Sequence, residues 1–163
     1  MSTAKIIFLD FDGVLCTDRS YKGFDPNHKS FEALVALFDP DCVANLNQLE
    51  GEIVVSSNWR YDYINPYPCA DLLKAAGVTL PVVGETPKLS PYHRDNLRGA
   101  EIAAWINQHG LDLSQIIILD DLAHAARGGI PGQGARLIQT PESTGFQKAR
   151  FLQRAIQLQG GCK

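Results

Sequence analysis

Ile6-Ile7-Phe8-Leu9-Asp10-Phe11-Asp12-Gly13-Val14-Leu15 is the stretch on which the reading of this chain turns. Its first four residues are apolar with no polar alternation, the pattern of a strand buried on both faces, and two carboxylates and a glycine follow at once. In a parallel α/β sheet the carboxyl ends of the strands open a crevice where ligands bind, so Asp10 and Asp12 stand where chemistry is done. Carboxylates at i and i+2 repel each other, and a divalent cation or a raised pKa relieves that repulsion. The plain alternative is a turn, since Asp and Gly are ordinary turn formers. The pair alone does not decide between the two.

Working outward, apolar runs recur at Ile53-Val54-Val55 and at Ile116-Ile117-Ile118-Leu119. Each also ends in polar groups, Ser56-Ser57-Asn58-Trp59-Arg60 after the first and Asp120-Asp121 after the second. Further strands are expected at residues 80–84 and 135–139. Asp39, Pro40 and Asp41 make a helix start, with Val43, Leu46 and Leu49 as its apolar stripe and Gly51 as its stop. Other helices are expected at residues 69–76, from Leu97 to near Gly110, and over 146–159. Residues 16–38 read as a long connection with a helical patch at 31–38, residues 61–68 as an aromatic loop, and 127–134 as a glycine-rich loop. Strands alternating with helices in this way predict an α/β fold, a Rossmann-like three-layer sandwich around a mostly parallel five-stranded sheet. Right-handed crossovers then bring the strand ends to one edge. No repeat or linker divides the chain, so one domain over residues 1–163 is expected, and its connections are too short for a large cap domain.

A chain of 163 residues, 45% hydrophobic and 20% charged, can bury an ordinary core without disulfides or a structural metal. The net charge of −3 offers no global attraction to nucleic acid or to an anionic membrane, although a local basic patch is compatible with it. Cys16, Cys42, Cys69 and Cys162 show neither a paired metal spacing nor a small-domain framework, so reduced thiols in a cytoplasmic protein are expected. No leader pattern opens the chain and no apolar stretch approaches about 18 residues, so no membrane partner is expected. His28, His93, His109 and His124 carry no metal-ligand spacing.

Four ordered motifs resemble the haloacid-dehalogenase-like (HAD) superfamily of phosphohydrolases: the strand with Asp10, Asp12 and Gly13, the strand with Ser56, a basic residue opening a helix at Arg98, and the strand with Asp120 and Asp121. The combination of Ser56 to Arg60, Arg98-Gly99-Ala100-Glu101-Ile102 and Ile118 to Asp121 is similar to a small HAD branch associated with RNA-repair proteins. The resemblance implies a Mg²⁺-dependent phosphomonoesterase that works through an aspartyl-phosphate. Asp10 would be the nucleophile and Asp12 the acid and base. Asp10, the Asp12 carbonyl and Asp120 would hold Mg²⁺, with Asp121 ligating through water or orienting another ligand. Ser56, with Ser57 as the fallback, and Arg98 would bind the substrate phosphate. The superfamily usually has lysine where Arg98 stands. Arginine keeps the charge but binds phosphate through a planar fork, and Lys88 is the competing candidate.

A phosphorylated small molecule or a nucleic-acid end is the implied substrate class. Dehalogenase chemistry needs neither a metal nor a second acid, so Asp12, Asp120 and Asp121 argue against it. A non-enzymatic metal- or phosphate-binding module, or a phospho-acceptor of the same fold, is the alternative, and it would be marked by loss of Asp12. Several residues have a bland reading beside a functional one. For Ser56 and Ser57 the lesser alternative is to cap a helix entering at Asn58. Trp59 is expected to pack, and Arg60 to contact phosphate or to form a structural ion pair. Tyr21, Tyr61, Tyr63 and Tyr67, interleaved with Arg19, Lys22 and Arg60, are expected to pack loops, the alternative being to hold a nucleotide by stacking.

Overall fold

The computed structural model describes residues 4–160. Five strands form one sheet in the order β3-β2-β1-β4-β5: β1 (Ile6–Leu9), β2 (Glu52–Val55), β3 (Val82–Glu85), β4 (Ile116–Asp120) and β5 (Leu137–Gln139). Every pairing is parallel, where the sequence required only that most be so. The central strand is apolar throughout because both of its faces are covered. Ile7 and Leu9 enter one core cluster, and Ile6 and Phe8 enter the other.

Four helices bring buried residues to the Ile7–Leu9 side. They are α2 (Phe31–Val35), α3 (Pro40–Leu46), α4 (Cys69–Ala75) and α6 (Ala149–Leu158), contributing Leu34, Leu46, Leu72 and Ala155 among others. The opposite side is covered by α5 (Arg98–Gln108), through Ile102 and Ile106, and by a 3-10 turn at Ala123–Ala126 that adds Ala125. Gly99 lets that turn approach closely, since a Cβ there would lie 1.8 Å from the Arg127 carbonyl oxygen. No large cap interrupts the sandwich among the described residues. Among the described residues no helix is long and apolar enough to cross a membrane. Cys16, Cys42 and Cys69 are buried and unpaired, and burial pushes the Cys42 and Cys69 thiols up to about 12. Cys162 lies outside the described residues.

The departures from expectation sit at element ends and in the connections. A short helix, α1 (Asp18–Tyr21), stands inside the first connection, held by a capping box in which Thr17 and Ser20 exchange side-chain bonds with each other's backbone N–H. The patch expected over 31–38 is helical only to Val35. Strand β3 runs over Val82–Glu85, displaced from 80–84, with an irregular register against β2 between Ile53 and Val54. The fifth strand begins at Leu137 because Gln133–Arg136 form a 3-10 turn, and the Ala135 N–H is bonded to Gly132 O. The last helix begins at Ala149, not at 146, since the Phe146 N–H is bonded to Val14 O at 2.8 Å and its ring is fully buried.

Candidate active site

Sheet register levels the functional ends. Leu9 is paired with Val55 on one side and Leu119 on the other, so the next residues, Asp10, Ser56 and Asp120, stand side by side at the carboxyl ends of the three strands. Two ladder bonds fix this, Asp10 N–H to Leu119 O at 3.0 Å and Ser56 N–H to Leu9 O at 2.9 Å. The chain then turns at Gly13, whose φ of +75° favours glycine and whose missing side chain matters equally. A Cβ there would lie 2.5 Å from the Asp121 carboxyl.

Asp10, Asp120 and Asp121 converge, each offering an oxygen within 4.8 Å of the others. Arg98, only 2% exposed, is set against them from the first position of α5. Its Nη1 lies 2.6 Å from Asp120 Oδ2 and 3.3 Å from Asp10 Oδ2, and its Nη2 donates to Asn58 Oδ1 at 3.1 Å. Burial alone would lower the Arg98 pKa, but the charges of Asp10 and Asp120 outweigh it and hold the guanidinium above its ordinary range. Burial, with Asp10 nearby, drives Asp120 well above the usual carboxylate range and raises Asp121 to about 7. The two acids are not equivalent. Both oxygens of Asp120 are engaged, by Arg98 and by the Leu122 N–H at 2.9 Å, whereas Asp121 is only half-buried and no Arg or Lys pairs with it among the described residues.

Asp12 is held on both sides. Tyr21 OH donates to its Oδ1, and Trp59 Nε1–H donates to its Oδ2 at 2.9 Å. Burial raises the Asp12 pKa, and these two bonds partly offset the rise. Trp59 also packs edge-on against Phe11 and Phe38, so the packing expected of it is present and accompanied by a polar contact to the acid. A cleft of about 310 Å³ opens here, lined by Asp12, Gly13, Thr17, Tyr21 and Glu142 among others. Nothing in the sequence marks either donor as a partner of Asp12. Thr17 with Ser20 is a capping signal that marks the helix carrying Tyr21, but no local pattern marks the contact itself.

The two serines part company. Ser57 Oγ accepts the Trp59 N–H at 3.1 Å and so caps the 3-10 turn Asn58–Arg60. Ser56 Oγ is fully buried and has no hydrogen-bond partner among the described residues. Arg60 is structural: its donors reach Ser57 O, Thr86 O and Oγ1, Pro87 O and Glu101 Oε1, leaving it no place at a phosphate. Lys88 is exposed, with its ammonium 5.4 Å from the centre of the Tyr61 ring, and only Arg98 of the two candidates reaches the acids. Arg19 pairs with Asp39 and Asp41.

The donor set fits a hard divalent cation, because it supplies only oxygens and its carboxylates crowd one another beyond what one arginine neutralises. A family model described as "HAD domain in Swiss Army Knife RNA repair proteins" matches residues 6–151. No curated protein and no solved structure matches the chain.

Proposed function

The chain belongs to the family of HAD domains found in Swiss Army Knife RNA repair proteins, and on that premise we propose that it is a Mg²⁺-dependent phosphomonoesterase acting on a nucleic-acid end or a nucleotide phosphate. A HAD domain points to a phosphatase-type hydrolase, and the acid cluster has the composition of a metal site. The observation that carries the reading further is the Ser56 hydroxyl. It is buried level with Asp10 and lacks a partner, a state that costs about 1–3 kcal/mol unless a ligand accepts its proton. A phosphate oxygen held between Ser56 and Arg98 supplies that acceptor.

In this reading an Asp10 carboxylate oxygen attacks phosphorus in line with the leaving oxygen. The new bond is an acyl phosphate on Asp10, and the bond broken is phosphorus to the leaving alcohol. Asp12, protonated more readily because it is buried, gives its proton to that alcohol. It then takes a proton from water as the water attacks phosphorus, which frees inorganic phosphate and restores Asp10. Tyr21 and Trp59 hold the Asp12 carboxyl in place through both steps. Asp10, Asp120, Asp121 and the Asp12 carbonyl would hold Mg²⁺, which supplies charge neutralisation and orientation of the phosphate oxygens. Asp121, the less engaged of the two neighbouring acids, has the carboxylate more open to the ion.

The test is phosphate release from nucleotides, sugar phosphates and oligonucleotides phosphorylated at the 5′ or 3′ end, with Mg²⁺ and with EDTA. We expect turnover that EDTA abolishes and Mg²⁺ restores. Activity indifferent to chelation would overturn the metal assignment, and stoichiometric phosphorylation of the protein without turnover would favour a phospho-acceptor.

A further inference from the structure

We propose that Tyr63, Tyr92 and His93 form a stacking platform for an unpaired base of a single-stranded nucleic acid whose terminal phosphate enters the acid pocket. The inference rests on the phosphatase reading for the phosphate but on separate residues for the base. Tyr63, Val83, Leu89 and Tyr92 are the exposed large hydrophobic side chains among the described residues, and three of them gather on one rim. Tyr63 is 52% exposed and Tyr92 68% exposed, with their ring centres 6.1 Å apart, and the Tyr63 ring stacks on His93 at 6.0 Å and 28°. Beside them lies a groove of about 550 Å³ lined by Tyr61, Tyr63, Lys88, Leu89 and Pro91 among others, with room for a nucleoside.

The Tyr63–His93 part of the platform is held stiffly. Tyr63 Oη lies 2.6 Å from His93 Nδ1 and accepts the His93 N–H at 2.8 Å, so the loop after β2 is fastened to the loop after β3. Tyr61 OH donates to Ser90 O at 3.0 Å, and the Leu89 N–H reaches Glu101 Oε2 at 3.0 Å on α5. Arg60 ties the same two loops from beneath, reaching Thr86 O and Pro87 O. Aromatic faces fixed before binding lose little freedom when a base settles on them. The rim is joined to the site through one turn: Tyr61 follows Asn58–Arg60, and the Asn58 side chain accepts a hydrogen bond from Arg98.

Charge is compatible with that occupant. Lys88 and Arg94 are exposed on this rim and among the described residues neither has an ion-pair partner, and the exposed Asp62 is the one acid that lines the groove. Two unpaired cations flanking exposed rings match a polyanion with flat faces, and stacking of this kind tolerates any base. Arg19 and Arg60, in contrast, are committed to carboxylates and take no part.

The experiment compares wild type with Tyr92→Ala, Tyr63→Phe and the Tyr63→Ala/Tyr92→Ala double variant. Tyr63→Phe keeps the ring while removing its bonds to His93. Two substrates are used, a short single-stranded RNA with a terminal phosphate and p-nitrophenyl phosphate. Anisotropy of a labelled RNA with hydroxyl ends reports binding without turnover. We expect the double variant to raise the RNA KM and the hydroxyl-ended RNA Kd by about tenfold, about 1.4 kcal/mol of lost stacking, with p-nitrophenyl phosphate kinetics unchanged. An abasic terminal nucleotide should reproduce the loss in wild type. An unchanged RNA Kd in the double variant overturns the proposal, as does a parallel fall with both substrates, or a protein ligand that binds this rim while RNA does not. RNA binding that depends on the tyrosines in a protein with no phosphatase activity would sink the phosphatase reading and leave the platform standing.

Discussion

Tyr21 and Trp59 turn inward onto Asp12, whereas Tyr63 and Tyr92, on loops at the same edge of the sheet, turn outward to water. Tyr21, Trp59 and Tyr63 are tied by side-chain hydrogen bonds, whereas Tyr92 is held through its backbone N–H, which donates to Ser90 Oγ at 3.3 Å. The difference lies in what the bonds reach. The inner pair ends on a carboxylate with a raised pKa, and Tyr63 ends on His93 with about half of its surface still open to water. A buried aromatic that donates a hydrogen bond fixes a reacting group, while an exposed one offers area. The inner pair should therefore govern the chemical step and the outer pair the binding of whatever carries the phosphate.

The largest effect that sharpens this division is expected at Asp10. Asp10→Asn should lower phosphate release at least about a thousandfold, in the range seen when a nucleophile is removed, with the thermal midpoint little changed. Turnover like wild type in that variant would reject the nucleophile assignment. Next is Arg98→Ala, which leaves Asp10 and Asp120 buried without their counter-charge and should destabilise the protein by about 3–5 kcal/mol in chelator by urea titration. Lys88→Ala should leave stability unchanged and weaken RNA binding alone. A larger loss of p-nitrophenyl phosphate activity in the Lys88 variant would move the pocket cation to the rim and break the comparison.

Smaller effects divide the aromatics. Tyr21→Phe and Trp59→Phe each remove one donor to Asp12 and should lower kcat by about tenfold with KM little altered, given about 1.5–3 kcal/mol for a hydrogen bond to a charged group. If KM moved instead and kcat held, the inner pair would be binding substrate rather than fixing the acid. The smallest effect concerns pH. Asp121 is raised from 3.8 to about 7 in the fold, so across that window the native chain holds a proton that the unfolded chain has released. Its contribution is complete below the unfolded value and is lost as pH rises through the folded one. In EDTA the urea midpoint should thus fall as pH rises through this range, with Asp120 and Asp12 acting in the same direction. Excess Mg²⁺ should flatten the fall. A rise in EDTA would show that the acids are not crowded as described.

Much of the fold was legible because its strands are buried on both faces and so carry unbroken apolar runs, as in Ile6–Leu9 and the core of Ile116–Asp120. The helix start at Asp39 was legible for a local reason, since its carboxylate accepts the Asp41 N–H two residues on. Helix α1 and the 3-10 turns at Ala123–Ala126 and Gln133–Arg136 were not read. Elements this short show no hydrophobic period and hold through caps and distant contacts, such as Gln133 Nε2 donating to Gly99 O and Ala125 O. Within the site, the acids announced themselves by position after a strand. The parting of Ser56 from Ser57 depends on which way each hydroxyl turns, and the engagement of Arg60 depends on a glutamate 41 residues away.

Local composition alone places acids and hydroxyls at the carboxyl ends of β1, β2 and β4, because burial and chain direction are written in it. Which of those groups meet is a matter of packing. Sheet register set Asp10, Ser56 and Asp120 abreast, and helix packing drove Arg98 between two carboxylates. Loop closure turned Tyr21 toward Asp12 and Tyr63 toward His93. These are contacts between residues far apart in the chain, fixed by how layers pack, and no window of neighbouring residues contains them.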